Sequence, residues 1–452
     1  MSSTREIHTP AQQTSVVNPR GPRSMLFWAL RHGLPRLVVG QGVKRGDVQA
    51  RLIGDPAAHH DPFPLHAEVR AMGPLVRGRL TYMTATHSVV KEVLRSSSFG
   101  VKRDGSELPQ ALGAMLRWSG QGGPPHPIQP PSLLAVEGAE HTRYRRLVSS
   151  VFTARAIGRL RGQVQAVADE LLDELAAGPS EVDLVAAYAA RLPLTVIADI
   201  LGVPASEHAQ VLDFGSRVVS SLDIAVTWPE FRETQLALAE FEVWVGNHLD
   251  RLRRDPGDDL LSQLVVANEG GQGLTERELR SLAGLLLAAG FETTVNLLGS
   301  GTRLLLQNPD QLERLRADET LWPTAVDECL RLESPVQTTD RTALQHTELA
   351  GMRVGKDAHV VLFLGGANRD PAVFPDPDTL DVGRPNAADH LSFSGGPHFC
   401  LGAALAKLEG EIGLKSLFTR FPDLALAPGA HRRETRVLRG YDRLPVRLGT
   451  PA

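Results

Sequence analysis

Residues Phe393 to Gly402 read FSGGPHFCLG and set Phe393, Gly396, Cys400 and Gly402 in the spacing F-x-x-G-x-x-x-C-x-G. From the chain's own residue frequencies, an accidental match along 452 residues has odds of roughly 5 in 10,000. Outside such a context a cysteine is most often a small buried hydrophobe. Here its neighbours suit a thiolate. Apolar spacing from Leu401 to Phe418 is helical, which places Cys400 at a helix N-terminus, where unpaired backbone N–H groups favour negative charge. Gly396 and Gly402 allow close backbone approach to the sulfur and to what it binds, and Phe393 can shield it.

The remaining chain bounds the reading. A net charge of −4, from 48 basic and 52 acidic residues, gives no general case for a nucleic-acid partner. Two cysteines, Cys329 and Cys400, exclude a disulfide framework and fit a reducing, cytoplasmic compartment. Residues 1–24 lack the apolar core of a secretion signal and read as a disordered tail, with residues 25–452 as one unit lacking repeats or a dividing linker. The segment Met25 to Gly42, apolar with Arg31, His32 and Arg36 interspersed, either lies on a membrane surface or packs as a short helix pair on the body. The run Ser281 to Phe291 is about half a bilayer span and meets Glu292, so no membrane span is expected.

Ser96 to Pro131, rich in Gly, Pro and Ser, reads as one long loop. Glu140 to Arg254 has helical spacing broken at Gly178-Pro179, Val203-Pro204 and Trp228-Pro229. Thr275 and Glu278 form a T-x-x-E capping box for a helix of about 50 Å that runs to Asn308 and stops at Pro309. Beyond Ser334 short alternating runs predict strands. The fold class is therefore mainly α with a small β region.

The cysteine segment resembles that of the cytochrome P-450 superfamily of the soluble bacterial type, and the resemblance extends from about Leu52 to the end of the chain. It implies haem b held between the long central helix and the cysteine-bearing loop and helix, with Cys400 as the axial metal ligand. A thiolate there pushes electron density to the iron and favours O–O cleavage. Ser394 stands where the family usually has Gly, which bears on the local turn. The ExxR at Glu328 to Arg331 sits in DECLRLESPVQ; the same pattern at Glu92, Glu140 and Glu313 fits ordinary surface pairs. By resemblance Glu328 and Arg331 join Arg384 in a buried network, and Cys329 only packs. The haem-binding set implied is His141 and Arg145, four apart on one helical face, with Arg341, Phe393 and His398. Glu137-Gly138-Ala139 replaces the family's usual Asp-Pro-Pro.

Within the long helix, AGFETT at Ala289 to Thr294 places an acid and two hydroxyls in an apolar run. One reading is a distorted or capped helix, since Thr competes for backbone carbonyls. The resemblance implies instead a bend over the haem, with Glu292 and Thr293 as catalytic residues that deliver protons. The reaction implied is activation of O2 by two electrons and two protons, hydroxylating or epoxidising a small, largely apolar substrate. Ferredoxin and ferredoxin reductase are the expected electron source, because no matching nicotinamide or flavin unit appears; Arg143, Arg146 and Lys407 are candidates for docking it. The pocket implied draws on 96–131, Ala288 to Thr293, Val336 to Thr339 and Arg439 to Arg443. Phenol coupling or desaturation at the same haem, and a haem-binding protein without turnover, are the alternatives. Product formation with reduced ferredoxin separates them.

Overall fold

The computed structural model describes residues 21–79, 81–101, 110–121, 123–269 and 274–452. Most of the expected tail, 1–20, and residues 102–109 and 122 of the expected long loop lie outside the described residues. The principal helices are α1 (Pro22–Trp28), α2 (Leu34–Lys44), α3 (Gln110–Gly120), α4 (Gly138–Ser149), α5 (Arg161–Ala177) and α6 (Arg191–Ile200). They continue with α7 (His208–Val218), α8 (Trp228–Arg254), α9 (Glu276–Gln307), α10 (Trp322–Leu332) and α11 (Ala403–Arg420).

Two sequence boundaries shift. Helix α1 begins at Pro22, inside the expected tail, because Pro suits a first helical turn. Helix α3 lies inside the segment expected to be loop: QALGAMLRWSG carries good helix formers that the glycines and prolines on either side obscured. A π turn, Ala29–Gly33, joins α1 to α2. It precedes Pro35, whose ring would clash with a carbonyl one turn back in a regular helix.

Helix α9 sets the architecture. Thr275 Oγ1 accepts from the Glu278 N–H at 3.3 Å, and Glu278 Oε2 accepts from the Thr275 N–H at 2.6 Å. The helix then runs 32 residues to its cap at Asn308. By length and composition it could cross a membrane, but α6, α8 and α11 pack against it and 72% of its most apolar stretch is buried in protein. It is the spine of the main hydrophobic core.

Two small sheets flank this body. Five strands, β1 (Val76–Arg77), β2 (Tyr82–Thr84), β3 (Phe99–Gly100), β5 (Thr338–Ala343) and β6 (His359–Phe363), lie in the order β1-β2-β6-β5-β3. Only β2 and β6 run parallel, with Met83 opposite Val361. The second sheet sets β10 (Pro445–Arg447) between β4 (Glu181–Asp183) and β7 (Ala425–Leu426). A separate hairpin pairs β8 (His431–Arg432) with β9 (Tyr441–Arg443).

The ExxR pair does differ from its look-alikes. Glu328 and Arg331 are wholly buried, and Arg331 Nε and Nη2 each donate to the carboxylate at 2.7 Å. Arg384 Nε donates to Glu328 Oε1 at 3.0 Å. Two buried guanidiniums thus face one carboxylate. Backbone carbonyls take their remaining N–H groups: those of Asn368, Pro377 and Thr379 for Arg331, and those of Pro375, Asp376 and Thr379 for Arg384. Cys329 between them is buried with its thiol pushed up to about 12 by that burial, which fits packing alone.

Removing the one carboxylate leaves two buried cations uncompensated. Glu328→Gln should lower unfolding stability in a guanidinium titration by about 3–5 kcal/mol. The exposed ExxR at Glu313–Arg316 should behave otherwise, with Glu313→Gln costing about 1 kcal/mol or less. Equal losses at both sites would refute the distinction.

Candidate functional site

The loop 393–400 closes on itself: the Cys400 N–H donates to the Phe393 carbonyl at 2.9 Å and the Phe399 N–H to the Gly396 carbonyl at 3.1 Å. Two residues carry the tight turn in the left-handed region, Gly396 at φ 64° and Ser394 at φ 62°. A Cβ on Gly396 would sit 2.1 Å from the Leu94 carbonyl oxygen, so only glycine fits. At Ser394 the same conformation, which glycine adopts freely, costs about 1–2 kcal/mol. Its Oγ accepts from Arg341 Nη2 at 3.4 Å, which fixes it against the strand.

Cys400 is accessible to solvent, although the surrounding protein pushes its thiol up; the Gly402 N–H and the Arg145 charge act in the opposite direction. It therefore faces a recess rather than open surface. A Cβ on Gly402 would meet no protein atom within 4 Å, and Phe399 is 45% exposed. Helix α11 starts just beyond, at Ala403 with Gly402 as its cap, as the spacing predicted.

Around this recess stands a set of donors short of acceptors. His141, on α4, is buried with Nε2 unpartnered; His398 Nε2 makes no well-aligned hydrogen bond, and the two rings lie 4.3 Å apart. Burial, with the His398 and Arg145 charges, pushes His141 down to about 4. Arg341, from β5, is buried and forms no ion pair among the described residues; its guanidinium is pushed down to about 10 by desolvation, against the pull of Glu137. Its N–H groups reach Thr339 Oγ1 and the Asp340 carbonyl. Arg145, among the described residues, has no ion-pair partner either. Such a set calls for anions. A group with two carboxylates above a thiolate-bound metal fits these residues.

Glu137 already occupies one edge of the cluster. It accepts from the Val101 N–H and lies 3.4 Å from His398 Nε2; burial opposes its charge, but these neighbours hold it below the usual carboxylate range. The replacement of Asp-Pro-Pro thus leaves an acid at this corner.

Helix α9 carries the polar stations. Ala289 is exposed and Thr293 half-buried in the middle of a helix otherwise enclosed. Thr293 Oγ1 donates to the Ala289 carbonyl at 3.3 Å. Glu292 is buried and bonded to Arg433 Nη1 at 2.7 Å, while Arg433 Nε reaches Asp442 at 2.9 Å. No π turn interrupts this stretch: α9 is α-helical throughout, and the hydroxyl-to-carbonyl bond sits within it.

Sequence reasoning missed three participants. Arg433 reads as one more basic residue in HRRET, Glu137 as part of a departed motif, and Glu409 as a helical surface acid in LEGE. Glu409 is wholly buried on α11 against Thr294, neither oxygen making a well-aligned bond, and burial pushes its carboxyl well above the usual range. Of the expected docking trio, Arg143 is held by Glu278 at 2.6 Å and Lys407 by Asp327 at 2.8 Å, leaving Arg146 exposed.

The family profile described as Cytochrome P450 matches residues 223–429. The chain is 50% identical over 430 residues to cytochrome P450 140 of Mycobacterium tuberculosis, a provisionally named relative, with 94% of this chain and 98% of that one covered. It is 41% identical over 322 residues to the polyketide biosynthesis cytochrome P450 PksS of Bacillus subtilis, covering 70% and 77%. Among solved structures, ligand-free CYP164A2 of Mycobacterium smegmatis superposes with a TM-score of 0.79 at 32% identity, over 88% of this chain and 99% of that one.

Gly396→Ala tests the loop geometry. The added methyl meets a backbone oxygen, and the left-handed φ alone costs about 1–2 kcal/mol. Purified variant should carry less than half the haem per chain of the parent by pyridine haemochrome assay. Full haem content would show that the turn is not needed.

Proposed function

The chain belongs to the cytochrome P450 family of haem-thiolate monooxygenases, and from that premise we propose that Cys400 is its axial ligand in a site that hydroxylates or epoxidises a small, largely apolar molecule. One observation carries the reading: an accessible thiol beside the buried His141 ring, whose Nε2 has no partner, and beside the Arg145 and Arg341 guanidiniums, which form no ion pair among the described residues. Bound haem supplies the redox iron at which O2 is reduced and one oxygen atom passes to substrate.

The protein's own residues do the rest. Arg145, Arg341, His141 and His398 hold the two propionates through charge-assisted hydrogen bonds, and the same positive charge favours the Cys400 thiolate. Phe393 shields the sulfur from water. Thr293 holds a proton at Oγ1 at the exposed point of α9, and Glu292 resupplies it by passing on a proton taken from water; the Arg433 bond orients the Glu292 carboxyl until it turns inward. The substrate lies against Ala289 and Thr293. A polyketide-like guest is the class we favour, given the relative named for polyketide biosynthesis. Residues 25–452 act as one catalytic domain.

Electrons come from a ferredoxin, itself reduced by its reductase. Exposed Arg146, joined by Arg155 and Arg159, offers the basic face, beside a groove of about 370 Å³ lined by Ile157 and by Ala404, Lys407 and Leu408 of the cysteine helix. The free cysteines fit a cytoplasmic location.

The test compares three variants in the haem-loaded protein. Cys400→Ala should lose the red-shifted carbon monoxide band of thiolate ligation. Thr293→Ala and Glu292→Gln should keep that band while product falls about 10²–10⁴-fold, with Thr293→Ala diverting electrons to peroxide. Unchanged product and coupling in Thr293→Ala would overturn the proton-relay assignment. A parent protein without bound haem would overturn the site.

A further inference from the structure

Far from the haem recess, one helix face exposes apolar side chains. Leu34, Leu37 and Val38 of α2 are 51%, 67% and 51% exposed, and their i, i+3, i+4 spacing puts them on one stripe. The opposite side of the same rod is well seated. Trp28 packs on Trp228, Phe27 and His32 on Phe231, and Val39 and Gly42 are buried. Leu37 and its neighbours are thus held outward by a fixed helix.

A further exposed apolar side chain lies on a segment fastened beside this helix. Arg36 Nη1 donates to the Ala225 carbonyl at 2.8 Å and Trp28 Nε1 to the Val226 carbonyl at 3.1 Å, which holds the α7–α8 connection beside α2. Ile224 in that connection is 44% exposed. Charge then narrows the occupant. From residue 7 to residue 46 the sequence has six basic residues, Arg20, Arg23, Arg31, Arg36, Lys44 and Arg45, and no Asp or Glu. Lys44 and Arg45 are exposed at the end of the stripe.

We propose that α2 and the 223–227 connection form a peripheral docking surface for anionic lipid bilayers, with Leu34, Leu37, Val38 and Ile224 entering the headgroup boundary and Lys44 and Arg45 meeting lipid phosphates. An amphipathic helix with a basic rim and a narrow apolar face lies in the interface plane and does not span it. Anionic lipids of the cytoplasmic leaflet attract such a rim. A second copy of the chain fits less well: four side chains cover far less than the ~800 Å² per partner that a stable protein interface buries. Nor would two such surfaces attract one another, since both are basic.

Full-length, haem-loaded protein should sediment with phosphatidylcholine vesicles containing one third phosphatidylglycerol and remain in the supernatant with phosphatidylcholine alone. Leu37→Glu with Val38→Glu should lower partition at least about tenfold, because apolar burial is replaced by charge that lipid phosphate repels. Lys44→Gln with Arg45→Gln should lower it about 25-fold, about fivefold per charge removed, with the carbon monoxide spectrum unchanged in both pairs. Equal partition onto neutral and anionic vesicles, or parent-like binding by either pair, would overturn the proposal. So would a concentration-dependent dimer in sedimentation velocity that the Leu37 and Val38 changes abolish, which would assign the face to a copy of the chain.

Discussion

The buried contact of Glu328 with Arg331 and Arg384 is the constraint on which the cysteine loop depends. Arg331 also donates to the Asn368 carbonyl, and the Asn368 side chain bonds Ser392 Oγ at 2.8 Å and the Leu391 N–H at 2.7 Å. Ser392 Oγ in turn donates to the Leu330 carbonyl, one residue from Arg331. A closed circuit therefore runs from the ExxR helix through one asparagine to the residue before Phe393. Because one carboxylate serves two guanidiniums, the excess positive charge is spread over carbonyls of residues 368–379. That stretch has little regular secondary structure, and these bonds supply the partners its backbone would otherwise lack.

Electrostatics at the recess obey a different rule. A thiol surrounded by protein resists ionising, and nearby cations are costly to bury without anions. On the proposed assignment, Cys400, Arg145, Arg341, His141 and His398 would offset one another with a metal and two carboxylates bound among them. Burial holds the His141 imidazole and the Arg341 guanidinium below their ordinary values, and an anion beside them would act in the opposite direction. Glu137 relieves part of it from within the chain.

Along the middle of α9, three neighbouring polar groups are met in different ways. Glu292 meets Arg433 from beyond β8, Thr294 meets Glu409 from α11, and Thr293 turns its hydroxyl onto its own helix at the exposed Ala289. The helix stays regular through this region, so access at Ala289 comes from small side chains and not from a break in the ladder. An arginine contact on the Glu292 side and a buried carboxyl short of partners on the Glu409 side leave the two faces of one helix chemically unlike.

Local chemistry made much of this legible in the sequence. The spacing around Cys400, the Thr275–Glu278 box, the stop at Pro309 and the Ser334-Pro335 ending of the ExxR helix are short-range rules, satisfied or violated within a few residues. Helix α3 was hidden because composition averaged over 96–131 masked eleven residues of helical spacing. Arg433, Glu137 and Glu409 were invisible for a deeper reason: a charged residue's role depends on burial and on partners that lie 141 positions away for Glu292 and Arg433. Glu409 has the same sequence surroundings as an exposed helical acid, and only packing against α9 removes its water. Residue order is enough to say which groups can ligate, cap and turn. Which charges are desolvated, and which partners compensate them, is settled by packing, because desolvation is a property of the folded interior and not of the chain.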